Sequence, residues 1–214
     1  QHLRRGNNAP RSPKVTSTPS MRRTGIDIAL TFSRQFLAGL MQLGLLLIVA
    51  WGLGPEGAGT YAVALLLPSI LSQLLNLGLA SANVYFVASR QFSLAQVWVA
   101  SRDLVLLMGV LGLVLLMGEL AFPGIPQMVL LSALLIYPTS LMAGIVSGLF
   151  QALQDFRAYN IAVLIQPVLS LAGVCLLWLA DQIDITAIMT AVAVAHGVAL
   201  AVALALLGRR TPMA

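Results

Sequence analysis

Charge is what this sequence has least of. Of its 214 residues only 9% are charged and 59% are hydrophobic, with a mean hydropathy of +0.92. A soluble domain carries roughly 25% charged residues. So few charges cannot coat a water-soluble surface of this size, so the solvent for most of the chain is lipid. The one cysteine, Cys175, excludes an internal disulfide and any cysteine-based metal site. HExxH, GxSxG, paired carboxylates on one helix face and a phosphate loop are all missing. No catalytic constellation, metal site or cofactor is therefore expected. His196 stands alone in an apolar run, which suits a packed or cavity-facing side chain better than a metal ligand.

What is present is a series of long uncharged runs. Arg34 and Glu56 enclose 21 uncharged residues, Glu56 and Arg90 enclose 33, and Asp103 and Glu119 enclose 15. Glu119 to Asp155 encloses 35, Arg157 to Asp181 encloses 23, and Asp184 to Arg209 encloses 24. About 20 apolar residues, rising about 1.5 Å each, cross a hydrocarbon core of about 30 Å. Six spans are predicted, near 28–51, 60–86, 96–118, 127–150, 159–180 and 185–207. The third carries Arg102 and Asp103 in its first turns, at the interface or facing an interior cavity. A β-barrel is excluded, because its segments alternate and its lumen is polar. Runs such as MQLGLLLIVAWGL do not alternate. The expected fold class is an all-α polytopic membrane protein.

The cations set an orientation. Arg4, Arg5, Arg11, Lys14, Arg22 and Arg23 lie in the leading tail, Arg90 and Arg157 in the links after spans two and four, and Arg209 and Arg210 at the end. The alternate links hold Glu56, Glu119, Asp181 and Asp184 with no Lys or Arg. The positive-inside rule then places both termini in the cytoplasm. The same asymmetry accounts for the pI of about 10.1, and no basic folded surface points to nucleic acid. Residues 1–24 are polar and basic and are expected to be disordered, with no cleavable signal peptide and with Met21 as a natural start. Residues 209–214 form a second cytoplasmic end.

Between the first two spans lies GLGPEGAGTYA, Gly52 to Ala62. Its glycines can supply the positive φ of a tight turn, and Pro55 cannot continue a helix. Glu56 reads as a solvated residue of a short external hairpin, favoured near the start of span two by the helix dipole.

Polar residues inside the spans fall in stripes at about 100° per residue. They are Thr31, Arg34, Gln35 and Gln42 in span one, and Ser69, Ser72, Gln73, Asn76 and Asn83 in span two. Tyr137, Ser140, Ser147 and Gln151 share a face of span four with Gly144 and Gly148, and Gln166 and Ser170 continue the pattern in span five. Such stripes serve either as interhelical glue, worth about 0.6 kcal/mol per bond, or as the wall of a hydrated cavity. Arg34 sits about two turns into its span, either snorkelling to the surface or facing that cavity as an anion site. Guanidinium suits phosphate, since it is always charged and binds oxygens bidentately. GIVSG at 144–148 predicts close helix packing. Pro68, Pro138 and Pro167 predict kinks within spans two, four and five.

The stretch LGPEGAGTYA, the segment LLNLGLASANV after it, and GLFQALQDFRAYN before span five resemble the polysaccharide flippases of the multidrug/oligosaccharidyl-lipid/polysaccharide (MOP) exporter superfamily. The similarity runs over most of residues 25–208. It implies one six-helix lobe of a protein whose relatives pair two lobes around a central cavity. It implies translocation of undecaprenyl-diphosphate-linked oligosaccharide units across the bacterial cytoplasmic membrane for surface polysaccharide synthesis. The chain would then be a transporter, not an enzyme, with the bilayer and either a second lobe or a homodimer as partners. Arg34 matches a position where a first-helix arginine is common. With it, Gln42, Gln73, Asn76, Asn83 and Gln166 are the expected substrate-binding residues. The peptidoglycan-precursor and multidrug branches, or a non-transporting component of glycan assembly, are the alternatives.

Overall fold

The computed structural model describes residues 21–118 and 126–210, with side-chain surroundings for 32–115 and 126–210. The tail before Met21, the Glu119 link, the side chain of Thr31 and residues 211–214 lie outside the described residues. Six helices follow in order: α1 (Met21–Leu75), α2 (Leu79–Ala88), α3 (Leu94–Gly118), α4 (Gln127–Ala152), α5 (Phe156–Leu179) and α6 (Ile185–Gly208). Two compact units divide the chain between Ser33 and Arg34. The first contributes the opening turns of α1, and the second holds everything described below.

Five stretches among the described residues are long and apolar enough to cross a membrane. The first, Phe32–Ala88, runs 57 residues and is broken internally. Gly54 has φ 70° and ψ −177°, a conformation that only glycine adopts without strain. In a straight helix Gln42 and Ser69 would lie about 40 Å apart. They line the same cavity, so the chain reverses at Gly54. The hairpin expected at GLGPEGAGTYA is thus present but tighter than expected. Gly54 alone among its glycines takes a positive φ, while Gly52, Gly57 and Gly59 stay helical and Pro55 opens the returning helix.

The structure differs from six simple spans in two places. Helix α1 begins at Met21, so residues 21–24 are helical, not part of a disordered tail. The returning span is also discontinuous. It stops at Leu75, passes Leu77 at φ 49° and Gly78 at φ 73°, and restarts as α2. Asn76 is built into this break, its side-chain Oδ1 accepting from the Ala80 N–H at 3.4 Å. The neighbouring wall is glycine. A Cβ on Gly148 would sit 2.9 Å from the Ala80 carbonyl oxygen, so the GIVSG face of α4 is in close backbone contact with α2.

Helix starts follow local chemistry. Ser93 and Gln96 form a reciprocal capping box at α3, with the Ser93 N–H donating to Gln96 Oε1 at 3.0 Å and the Gln96 N–H to Ser93 Oγ at 3.3 Å. Asp155 accepts from the Ala158 N–H at the start of α5, and Asp184 from the Thr186 N–H at the start of α6.

Helix α4 is the central element. Its residues enter three apolar clusters: one with Val49 and Tyr61 of α1, Val174 of α5 and Ile188 of α6, a second with Val97 of α3 and Leu207 of α6, and a third with Val105 of α3. Tyr137, fully buried, donates from its hydroxyl to the Met108 carbonyl at 2.6 Å and ties α4 to α3. Outward faces carry leucine and valine throughout, as a lipid boundary requires.

The two ends of the unit carry opposite charge. At one end Gly52 lies against Ile183, bringing the Glu56 turn to the link that holds Asp181 and Asp184. Trp51 and Trp178 are exposed there, at the depth where amphipathic rings settle at a bilayer interface. At the other end Arg210 pairs with Asp155 at 2.7 Å. Arg102 and Asp103 are both exposed and pair with each other at 2.8 Å, so the two charges neutralise one another.

Candidate substrate-binding site

A cavity of about 520 Å³ opens between the two halves of α1 and helices α4, α5 and α6. The hairpin at Gly54 delivers Gln42 and Ser69 to it from opposite halves, α4 delivers Ser140, α5 delivers Gln166 and Ser170, and α6 delivers His196. Pro167, buried beside Gln166, interrupts the α5 ladder at this level. Gln166 is oriented by its amide nitrogen, which donates to Ser170 Oγ at 3.0 Å. The His196 Nδ1 lies 2.9 Å from the Val192 carbonyl; that contact makes Nδ1 the protonated nitrogen and leaves Nε2 as an acceptor. No Asp, Glu, Lys or Arg lines the cavity.

Arg34 lies elsewhere. It is only 7% exposed, and its guanidinium carbon stacks 4.4 Å above the centre of the Tyr159 ring. Among the described residues it has no hydrogen-bond acceptor and no carboxylate partner. The ring holds the face of the guanidinium and leaves its edge, with five donors, free. On the next residue, Asn160 Oδ1 is buried without a donor. Arg34 to Gln42 is eight residues along α1 and Tyr159 to Gln166 is seven along α5, so each helix climbs about 10–12 Å from the cation to the cavity.

The six residues expected to bind substrate are therefore not all brought together. Gln42 and Gln166 face one cavity, and Arg34 lies about two turns below them. Gln73 is exposed, its amide nitrogen donating to the Ser69 carbonyl of its own helix. Asn76 caps the α1–α2 break. Asn83, 3% exposed, accepts from the Ser101 hydroxyl at 2.9 Å and joins α2 to α3, while its amide nitrogen has no partner. Sequence reasoning missed Ser69, Ser140 and His196 as neighbours of Gln42 and Gln166. Helical phase placed Ser69 and Ser140 on polar faces and left His196 alone in an apolar run, and it could not say which faces meet.

Among the described residues no group of three His, Cys, Asp or Glu side chains could hold a metal ion. No family model, curated protein or solved structure matches the chain.

Proposed function

We propose that this chain is the first six-span body of a flippase that carries lipid-linked oligosaccharide across the bacterial cytoplasmic membrane for surface polysaccharide synthesis. Arg34 is the anion site that takes the diphosphate of the carrier lipid. The supporting observation is Arg34 itself: a buried guanidinium, held flat on Tyr159, with no counter-ion among the described residues. An arginine costs about 2.5–3.5 kcal/mol at the centre of a span on insertion scales, and less near an end where Arg34 lies, and its open donor edge calls for an acceptor. A phosphate ester supplies one with bidentate geometry. The multidrug branch would call for an embedded acid; Asp103 of α3 is already paired with Arg102, and Glu56 sits at the turn between the two halves of α1.

Both termini lie in the cytoplasm in this reading, and the acidic end of the unit faces outside. Alternating access needs a second body rocking against the first. A second lobe, or a second copy, supplies the other wall. The test is export of lipid-linked glycan in a strain lacking its own flippase. Expressed alone, the chain inserts and does not export; with a second six-helix lobe, export returns. Arg34→Ala then abolishes export at unchanged membrane levels, and Arg34→Lys keeps part of it. Normal export by Arg34→Ala would end the anion-site reading.

A further inference from the structure

The cavity beside Gln42 and Gln166 sets uncharged polar groups in a largely aliphatic wall, and most of those groups are idle. Gln42, Tyr61 and Ser140 make no side-chain hydrogen bond among the described residues. Gln166 uses one amide hydrogen on Ser170 and keeps its carbonyl oxygen free. His196 spends Nδ1 on Val192 and keeps Nε2. Five positions on four helices thus offer a mixture of donors and acceptors to one space, with an aromatic ring, Tyr61, in its wall.

A cation or an anion would find no countercharge there, and an apolar ligand would leave these groups unpaired at a cost. A hydroxyl group, at once donor and acceptor, satisfies amides, hydroxyls and an imidazole nitrogen alike. The volume of about 520 Å³ falls in the range of small-molecule sites, about 300–1,000 Å³. We infer that this cavity is a saccharide site that takes an uncharged, polyhydroxylated group. It stands about 10–12 Å deeper than Arg34, so one cargo molecule can place its phosphate on Arg34 and its sugar on Gln42 and Gln166. The inference deepens the flippase reading and rests on it for the joint binding. The sugar site by itself rests on the cavity alone.

Three probes separate the two sites, each titrated into the chain in nanodiscs. They are undecaprenyl diphosphate, undecaprenyl-diphosphate N-acetylglucosamine, and a soluble neutral glycoside, methyl maltoside. Wild type should bind the sugar-bearing lipid at least about tenfold tighter than the bare diphosphate lipid, the worth of a well-made hydrogen bond or two. Gln166→Leu should erase that ratio and abolish maltoside binding while leaving the bare lipid untouched. Because Gln166 also supports buried Ser170, Gln42→Leu, at an exposed position, provides the independent second variant. Arg34→Gln should weaken both lipids equally and leave maltoside unchanged. A wild-type ratio of one, or loss of both lipids together in Gln42→Leu, would overturn the saccharide site and leave the flippase reading standing. Maltoside binding that depends on Gln42, in a chain that binds neither lipid, would support the saccharide site and end the flippase reading.

Discussion

The Arg34–Tyr159 contact separates two meanings of a buried arginine. In lipid an arginine either reaches the interface or finds a partner, and here a ring takes the guanidinium face while the donor edge stays open. That interaction is worth about 0.5–2 kcal/mol. Tyr159→Phe keeps the ring and should keep affinity for undecaprenyl diphosphate. Tyr159→Leu removes it and should weaken binding about fivefold, corresponding to about 1 kcal/mol. Equal affinities in the two variants would show that the ring does not position the guanidinium. A second residue-scale test lies in α4. The Cβ of Gly148→Ala would press on the Ala80 backbone, which cannot swing aside, so overpacking should cost about 1–3 kcal/mol. Nothing lies within 4 Å of a Cβ at Gly197, so Gly197→Ala should be neutral or slightly stabilising. Thermal unfolding midpoints in detergent read both.

At the scale of elements, the two breaks in the first long stretch differ in kind. The reversal at Gly54 depends on backbone conformation. Gly54→Ala forces a side chain to φ 70° and should lower stability by about 1–2 kcal/mol. Gly59, helical with open space around it, is the matched control, and Gly59→Ala should raise stability by up to about 1 kcal/mol. Equal losses in both would mean that the turn is shared among the glycines instead of concentrated in one. The second break, at Leu77 and Gly78, is itself exposed, and its flanks, Asn76 and Ala80, lie against the glycine face of α4. Asn76 Oδ1 takes up one backbone N–H that the break frees, that of Ala80. Helix α2 can therefore stay short and still pack through Asn83 on Ser101.

Over the whole molecule, the separation of acidic and basic ends predicts labelling. With Cys175→Ser as background, single cysteines at Gly57 and Gln182 should react with an impermeant thiol reagent outside intact cells, and one at Gln91 should not. Reaction at Gln91 alone would invert the orientation. The contact of Gly52 with Ile183 requires Gly57 and Gln182 to behave alike whichever way the unit faces. A split result for that pair would contradict the arrangement of the helices itself.

Much of this architecture was legible without coordinates, because composition and one-dimensional spacing express it directly. Uncharged runs long enough to cross a bilayer dictate helices, since no other open structure satisfies its backbone in lipid. GIVSG announces close approach because only small residues permit it, whereas the capping by Asp155 and Asp184 is seen only in the structure. The sorting of the polar residues was not legible. Helical phase puts Gln42, Asn83, Tyr137 and Gln166 on polar faces, but each face's meaning depends on what lies opposite. Asn83 and Tyr137 meet α3 and become glue, while Gln42 and Gln166 meet each other across open space and become a cavity wall. The Leu77–Gly78 break likewise was not legible, since a leucine at φ 49° runs against its own local preference. Local sequence decides which residues can be polar, buried or bent; only packing across helices decides which of them remain unpaired and free to bind.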